Sequence, residues 1–151
     1  MRTVLLSLVV AASVFAADPF VGQWKVNLSK SEYRQGTPPR EQIETITEAG
    51  GNLTVRVNAI TGDGSRTEVF YSIPVEGGAG KMFQASAAYD GISGKHLGPR
   101  EREISRWKDG KEVFHARSVV SPDGMSLVAV VTGVSPVGKP VEAKIVYDRM
   151  Q

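Results

Sequence analysis

Leu53-Thr54-Val55-Arg56-Val57-Asn58-Ala59-Ile60-Thr61-Gly62-Asp63-Gly64-Ser65-Arg66-Thr67-Glu68-Val69-Phe70-Tyr71-Ser72-Ile73 reads as strand, turn, strand. Leu53, Val55, Val57 and Ala59 alternate with Thr54, Arg56 and Asn58. Val69, Tyr71 and Ile73 alternate with Glu68 and Ser72. A period of two puts one set of side chains on each face of a strand, so each strand has one apolar face and one wet face. Gly62-Asp63-Gly64 supplies the turn, because glycine accepts positive φ and Asp bonds its own turn backbone.

The same grammar extends in both directions. Turn signals recur at Gly50-Gly51-Asn52, Gly77-Gly78-Ala79-Gly80, Asp90-Gly91, Gly98-Pro99, Asp109-Gly110, Pro122-Asp123-Gly124 and Pro136-Val137-Gly138. They delimit strands expected at 20–28, 42–48, 53–61, 66–73, 81–87, 100–108, 112–121, 126–132 and 141–149, with a weaker one at 91–97. One helical turn is expected at 29–33, where Ser29 precedes Glu32 with capping-box spacing. Strands at this spacing indicate an all-β domain. An up-and-down antiparallel barrel of eight to ten strands hides both sheet edges without helices. Closing an even number of strands sets the first strand against the last. With 41% hydrophobic and 23% charged residues, the chain is neither disordered nor low in complexity. It has no cysteine, which excludes disulfides, thiolate metal sites and a cysteine nucleophile.

Residues 1–16 read as a signal peptide. Arg2 gives the positive start, residues 4–15 form an apolar run, and Val14 and Ala16 suit a cleavage site before Ala17. A run of about a dozen residues is short against the roughly 20 that span a bilayer, so no stable membrane anchor is expected after cleavage. The expectation is an exported protein, periplasmic or extracellular, with its barrel over residues 17–151. Loss of Arg2 lowers the formal charge from +2 to +1, too little to drive nucleic-acid binding.

The segment Asp18-Pro19-Phe20-Val21-Gly22-Gln23-Trp24-Lys25-Val26-Asn27-Leu28-Ser29-Lys30-Ser31 resembles the opening of a group of secreted bacterial lipocalin-like proteins, mostly uncharacterised. Gly22-Gln23-Trp24 matches the Gly-x-Trp of a first lipocalin strand. Asp109 to Val113, Arg117 to Gly124, Thr132-Gly133, Gly138-Lys139-Pro140-Val141 and Val146-Tyr147-Asp148 are similar to the same group. The resemblance implies a calycin-type barrel and no established activity. It also implies a barrel end built on Gly22 and Trp24, with a basic residue of the last strand over the indole; Arg149 holds that position here.

Enzymatic chemistry finds little support. His96 and His115 are not spaced as metal ligands, no nucleophile elbow or phosphate loop is present, and no cofactor is implied. Glu101 and Glu103 share a strand face, but with Arg100, Arg102 and Arg106 they read as a charged, solvated strand. A non-enzymatic protein is therefore expected, binding a small hydrophobic or amphipathic ligand inside the barrel. The candidate lining residues are Tyr71, Phe83 and Tyr89, with Met82. His115 and Arg117 join them if the face they share with Val113 and Val119 turns inward. If Phe114, Ala116, Ser118 and Val120 turn inward instead, Arg117 is in water. The alternatives are a ligand-free envelope or interaction module, with a homodimer contact through Ser126 to Thr132, whose two faces are both apolar, and a hydrolase or isomerase with a site at the barrel mouth.

Overall fold

The computed structural model describes residues 16–151. The leader read over residues 1–16 lies outside them except for Ala16. Twelve strands form one antiparallel sheet: β1 (Gly22–Val26), β2 (Glu32–Gln35), β3 (Glu41–Ala49), β4 (Asn52–Ile60), β5 (Arg66–Pro74), β6 (Gly77–Ala79), β7 (Lys81–Gln84), β8 (Gly91–Gly98), β9 (Glu101–Lys108), β10 (Lys111–Val120), β11 (Ser126–Val134) and β12 (Pro140–Arg149). Among the described residues there is no helix.

The count exceeds eight to ten because two staves of the barrel are interrupted. β1 and β2 lie end to end along β12, with Trp24 opposite Arg149 and Tyr33 opposite Ala143. β6 pairs with β8 and β7 with β5, so residues 77–84 bridge the two sides of the sheet. The helical turn expected at 29–33 is a turn followed by β2. Ser29 Oγ donates to Asn27 Oδ1 instead of capping a helix. Ser31 Oγ accepts the Val146 amide of β12 at 2.9 Å and fastens the segment to the barrel.

First and last strands meet, as barrel closure requires. Trp24 is wholly buried at the end of the barrel where β12 finishes, and its indole N–H donates to the Phe20 carbonyl at 2.8 Å. Arg149 lies over the indole with its guanidinium carbon 4.1 Å from the ring centre. The same guanidinium donates to the carbonyls of Gly124, Val21 and Pro19 at 2.5, 2.7 and 2.8 Å. Gly22 makes room for it: a Cβ there would sit 2.2 Å from Arg149 Nη1, and φ is +142°. Phe20, Leu53, Ile73, Val120 and Leu127 complete this floor.

Gly80 is the pivot between β6 and β7. Its amide donates to Ile92 O at 2.9 Å, while a Cβ would meet Ser72 O at 2.5 Å and Ile92 Cγ2 at 2.6 Å. The backbone oxygen cannot yield as a side chain does, so Gly80→Ala overpacks the seam. We expect it to lower unfolding stability by about 1–3 kcal/mol in urea titrations. Gly98→Ala, whose added methyl meets nothing within 4 Å, should change stability by less than about 0.5 kcal/mol.

Candidate functional site

Above the floor the barrel is hollow. The inward positions of β4, β5, β10 and β11 enclose a cavity of about 480 Å³ lined mainly by Val55, Val57, Val69, Ala116, Ala129 and Val131. These are the residues that period-two alternation turns away from water. At the mouth, Ser86, Ala87, Ala88 and Tyr89 of the β7–β8 connector reach over the cavity from one side, and Pro136 of the β11–β12 loop from another.

One polar cluster interrupts the apolar wall. Gln42 and Glu44 of β3 meet Tyr147 of β12: the tyrosine hydroxyl donates to Glu44 Oε1 at 2.8 Å, and Gln42 Nε2 donates to Glu44 Oε1 and to the tyrosine oxygen, both at 3.0 Å. Arg106 of β9 also lines the cavity, with its guanidinium carbon 5.4 Å from the Tyr89 ring centre. Burial works against its charge, but the Glu44 carboxylate and the side-chain hydrogen bond with Tyr89 favour it, and its pKa moves up. Among the described residues no carboxylate comes within 4.0 Å of it. Burial raises the pKa of Tyr71, and that of Tyr147 also rises through burial and the adjacent Glu44. Both phenols are neutral at ordinary pH.

Arg102, two positions along the same face of β9, has a different role. It is 3% exposed, its Nη2 pairs with Asp18 Oδ2 at 2.5 Å, and its Nη1 bonds the Val75 carbonyl. Its guanidinium also lies 5.2 Å from the Phe20 ring centre, so it belongs to the floor.

Of the residues singled out from the sequence, Tyr71 and Tyr89 line the cavity and His115, Arg117 and Phe83 do not. β10 turns Phe114, Ala116 and Ser118 inward. His115 and Arg117 are therefore outside, where Arg117 pairs with the outward Glu101. Phe83 is 50% exposed and packs on Phe70 across the outer face of β5 and β7, because the register shift between Phe70 and Tyr71 leaves Met82 on the inner side. Arg102 and Arg106, read from the sequence as solvated, point inward with Ile104. The signal was the alternation Arg102-x-Ile104-x-Arg106 against Glu101, Glu103 and Ser105.

His115 has Ser105 and Glu112 as neighbours, but both approach the same ring nitrogen, Nδ1, at 3.5 and 3.7 Å. A base must accept from a nucleophile on one nitrogen and be oriented through the other. This arrangement lacks that geometry. Among the described residues no three His, Asp or Glu side chains cluster as metal ligands do.

Comparison with known protein families and with curated proteins finds no match. Among solved structures, the zebrafish ileal bile acid-binding protein, determined in complex with cholic acid, superposes with a TM-score of 0.52 at 14% identity, covering 87% of this chain and 99% of that one. The chain has a calycin-type barrel. The likeness extends to the fold; it carries no family membership, and the lipocalin-like resemblance of the Gly22–Trp24 segment agrees with it at that level.

The buried phenols make a pH prediction. Tyr71 and Tyr147 ionise near pH 10 in the unfolded chain and higher in the fold. Below pH 10 their burial does not make stability depend on pH. Above it the unfolded chain gains by releasing protons, so stability falls as pH rises. Alkaline unfolding followed by circular dichroism should therefore begin above pH 10, and Tyr71→Phe should shift the onset upward.

Proposed function

We propose that this protein binds a small apolar or amphipathic molecule inside its barrel. The observation that carries this reading is the 480 Å³ cavity, apolar on most of its wall and polar at one cluster. Cavities of this size and character suit small ligands: apolar burial supplies affinity and a few placed polar groups supply orientation. The zebrafish protein, which shares this architecture and was determined in complex with cholic acid, supports the reading by analogy of fold.

A neutral apolar fluorophore such as N-phenyl-1-naphthylamine should bind the full chain saturably at one site, with a blue-shifted emission. Ala129→Phe, which fills the cavity from β11, should abolish binding; Ala59→Phe does the same from the mouth, and both should retain cooperative thermal melts. Val130→Phe, on the exposed face of the same strand, should bind normally. Binding that survives both fillings in folded protein overturns the reading.

We further propose that the protein is exported and that residues 1–16 are removed. Ala16 and Ala17 are exposed, whereas Asp18 is built into the barrel, through Arg102 and through its cap on the Phe20 amide at 2.9 Å. Cleavage after Ala16 thus leaves the floor intact. Intact mass of the protein recovered from its native host should correspond to a chain starting at Ala17. A chain retaining the leader overturns the proposal.

A further inference from the structure

We propose that the cavity takes a singly charged, anion-headed amphipath whose acidic group is held between Arg106 on the wall and the Tyr89 hydroxyl on the connector 85–90, with the connector acting as the lid. This deepens the binding reading above and rests on it.

The argument begins with the accounting of interior arginines. Arg149 spends its donors on three carbonyls at the floor, and Arg102 is neutralised by Asp18. Arg106 faces the hollow with no carboxylate in ion-pair reach among the described residues. A guanidinium has five N–H donors and no way to shed its charge. Inside a low-dielectric wall such a group calls for an anion with hydrogen-bonding oxygens. The Tyr71 phenol, whose pKa burial raises, offers Arg106 an acceptor oxygen but no charge. Glu44 is nearby, but the oxygen it turns to the cluster already accepts from Tyr147 and Gln42. Its negative charge tempers Arg106 without satisfying it, which favours one charge on the ligand over two.

The lid follows from how the connector is held. Ser86 ties it into a compact turn: its hydroxyl accepts the amides of Ala88 and Tyr89, and its own amide donates to Tyr89 O at 3.2 Å. Ser86, Ala87 and Ala88 turn small side chains to the cavity. Tyr89 anchors this turn, edge-on to Phe114 at 6.4 Å between ring centres and against Arg106. Tyr89 is also a hydrogen-bonding neighbour of Arg106, so an acidic group drawn to Arg106 on its cavity side lies beside Tyr89.

The test uses the full chain and three straight-chain probes of equal length: decanoate, decanol and decylammonium, by calorimetry at neutral pH. Decanoate should bind about tenfold more tightly than decanol, and decylammonium most weakly. Arg106→Gln should erase the preference while leaving decanol within about twofold, and Arg106→Lys should restore part of it. Tyr89→Phe keeps the ring and should narrow the preference about threefold; Tyr89→Ala should also speed decanoate release in stopped-flow mixing. The outward Arg117→Gln should behave as wild type. Equal binding of decanoate and decanol, or a preference that persists in folded Arg106→Gln, overturns the proposal while the fluorophore assay still reports a ligand site. Failure of the fluorophore and of all three probes removes the underlying binding reading as well.

Discussion

The contact between Arg149 and Trp24 is the constraint on which the rest depends. The two residues are far apart in sequence and directly opposite in the β1–β12 register. A sheet of short antiparallel strands gains most of its pairing from neighbours in sequence, but closure needs the distant pairing of the first stave with β12, with its large loop entropy. The guanidinium secures closure in two ways. It covers the indole face, and it satisfies carbonyls from both sides of the seam, Pro19 and Val21 before β1 and Gly124 before β11. Gly22 is required because any side chain there would occupy the guanidinium's place.

The two inward arginines of β9 show how context divides identical chemistry. Arg102 sits opposite the N-terminal segment, where Asp18 reaches it. A buried pair of this kind is weak evidence for stability but costly to break on one side. Arg106 lies higher, where the wall offers phenols and an already engaged carboxylate. One arginine therefore fixes the floor and the other is left to face the hollow. Strand rise places their Cα atoms about 13 Å apart, enough for the same strand to serve both ends of the cavity.

Much of the fold was legible because alternation is a local signal. The Leu53 to Ile73 hairpin needs only neighbouring residues to announce a half-buried pair of strands, and β4 and β5 lie within one residue of the expected bounds. The Trp24–Arg149 contact was reachable through the lipocalin-like resemblance together with the even number of staves. What could not be read was which way charged strands turn. In Glu101-Arg102-Glu103-Ile104-Ser105-Arg106, charges occupy both faces, and their usual preference for water hides the inward set. His115 and Arg117 were ambiguous because both faces of β10 carry apolar residues. β2 escaped notice because Glu32 to Gln35 is a short polar strand whose pairing partner, β12, lies more than a hundred residues away.

The distribution of burial explains how a hollow barrel remains stable. The fully enclosed large side chains, Trp24, Leu53 and Val120, all belong to the floor. Along β4, burial declines from Leu53 at 2% and Val55 at 3% exposed to the half-buried Val57 and Ala59. Along β10 it declines from Val120 through Ala116 to Phe114. A cavity offers its wall fewer protein dispersion contacts than a packed core would. Concentrating close packing, the Asp18–Arg102 pair and the Arg149 clasp at one end offsets that loss and lets the other end form a lined cavity. Segregation of this kind also separates the consequences of mutation. Changes at the floor act on the whole cooperative fold, whereas changes among Arg106, Tyr89 and the apolar wall act on what the cavity can hold.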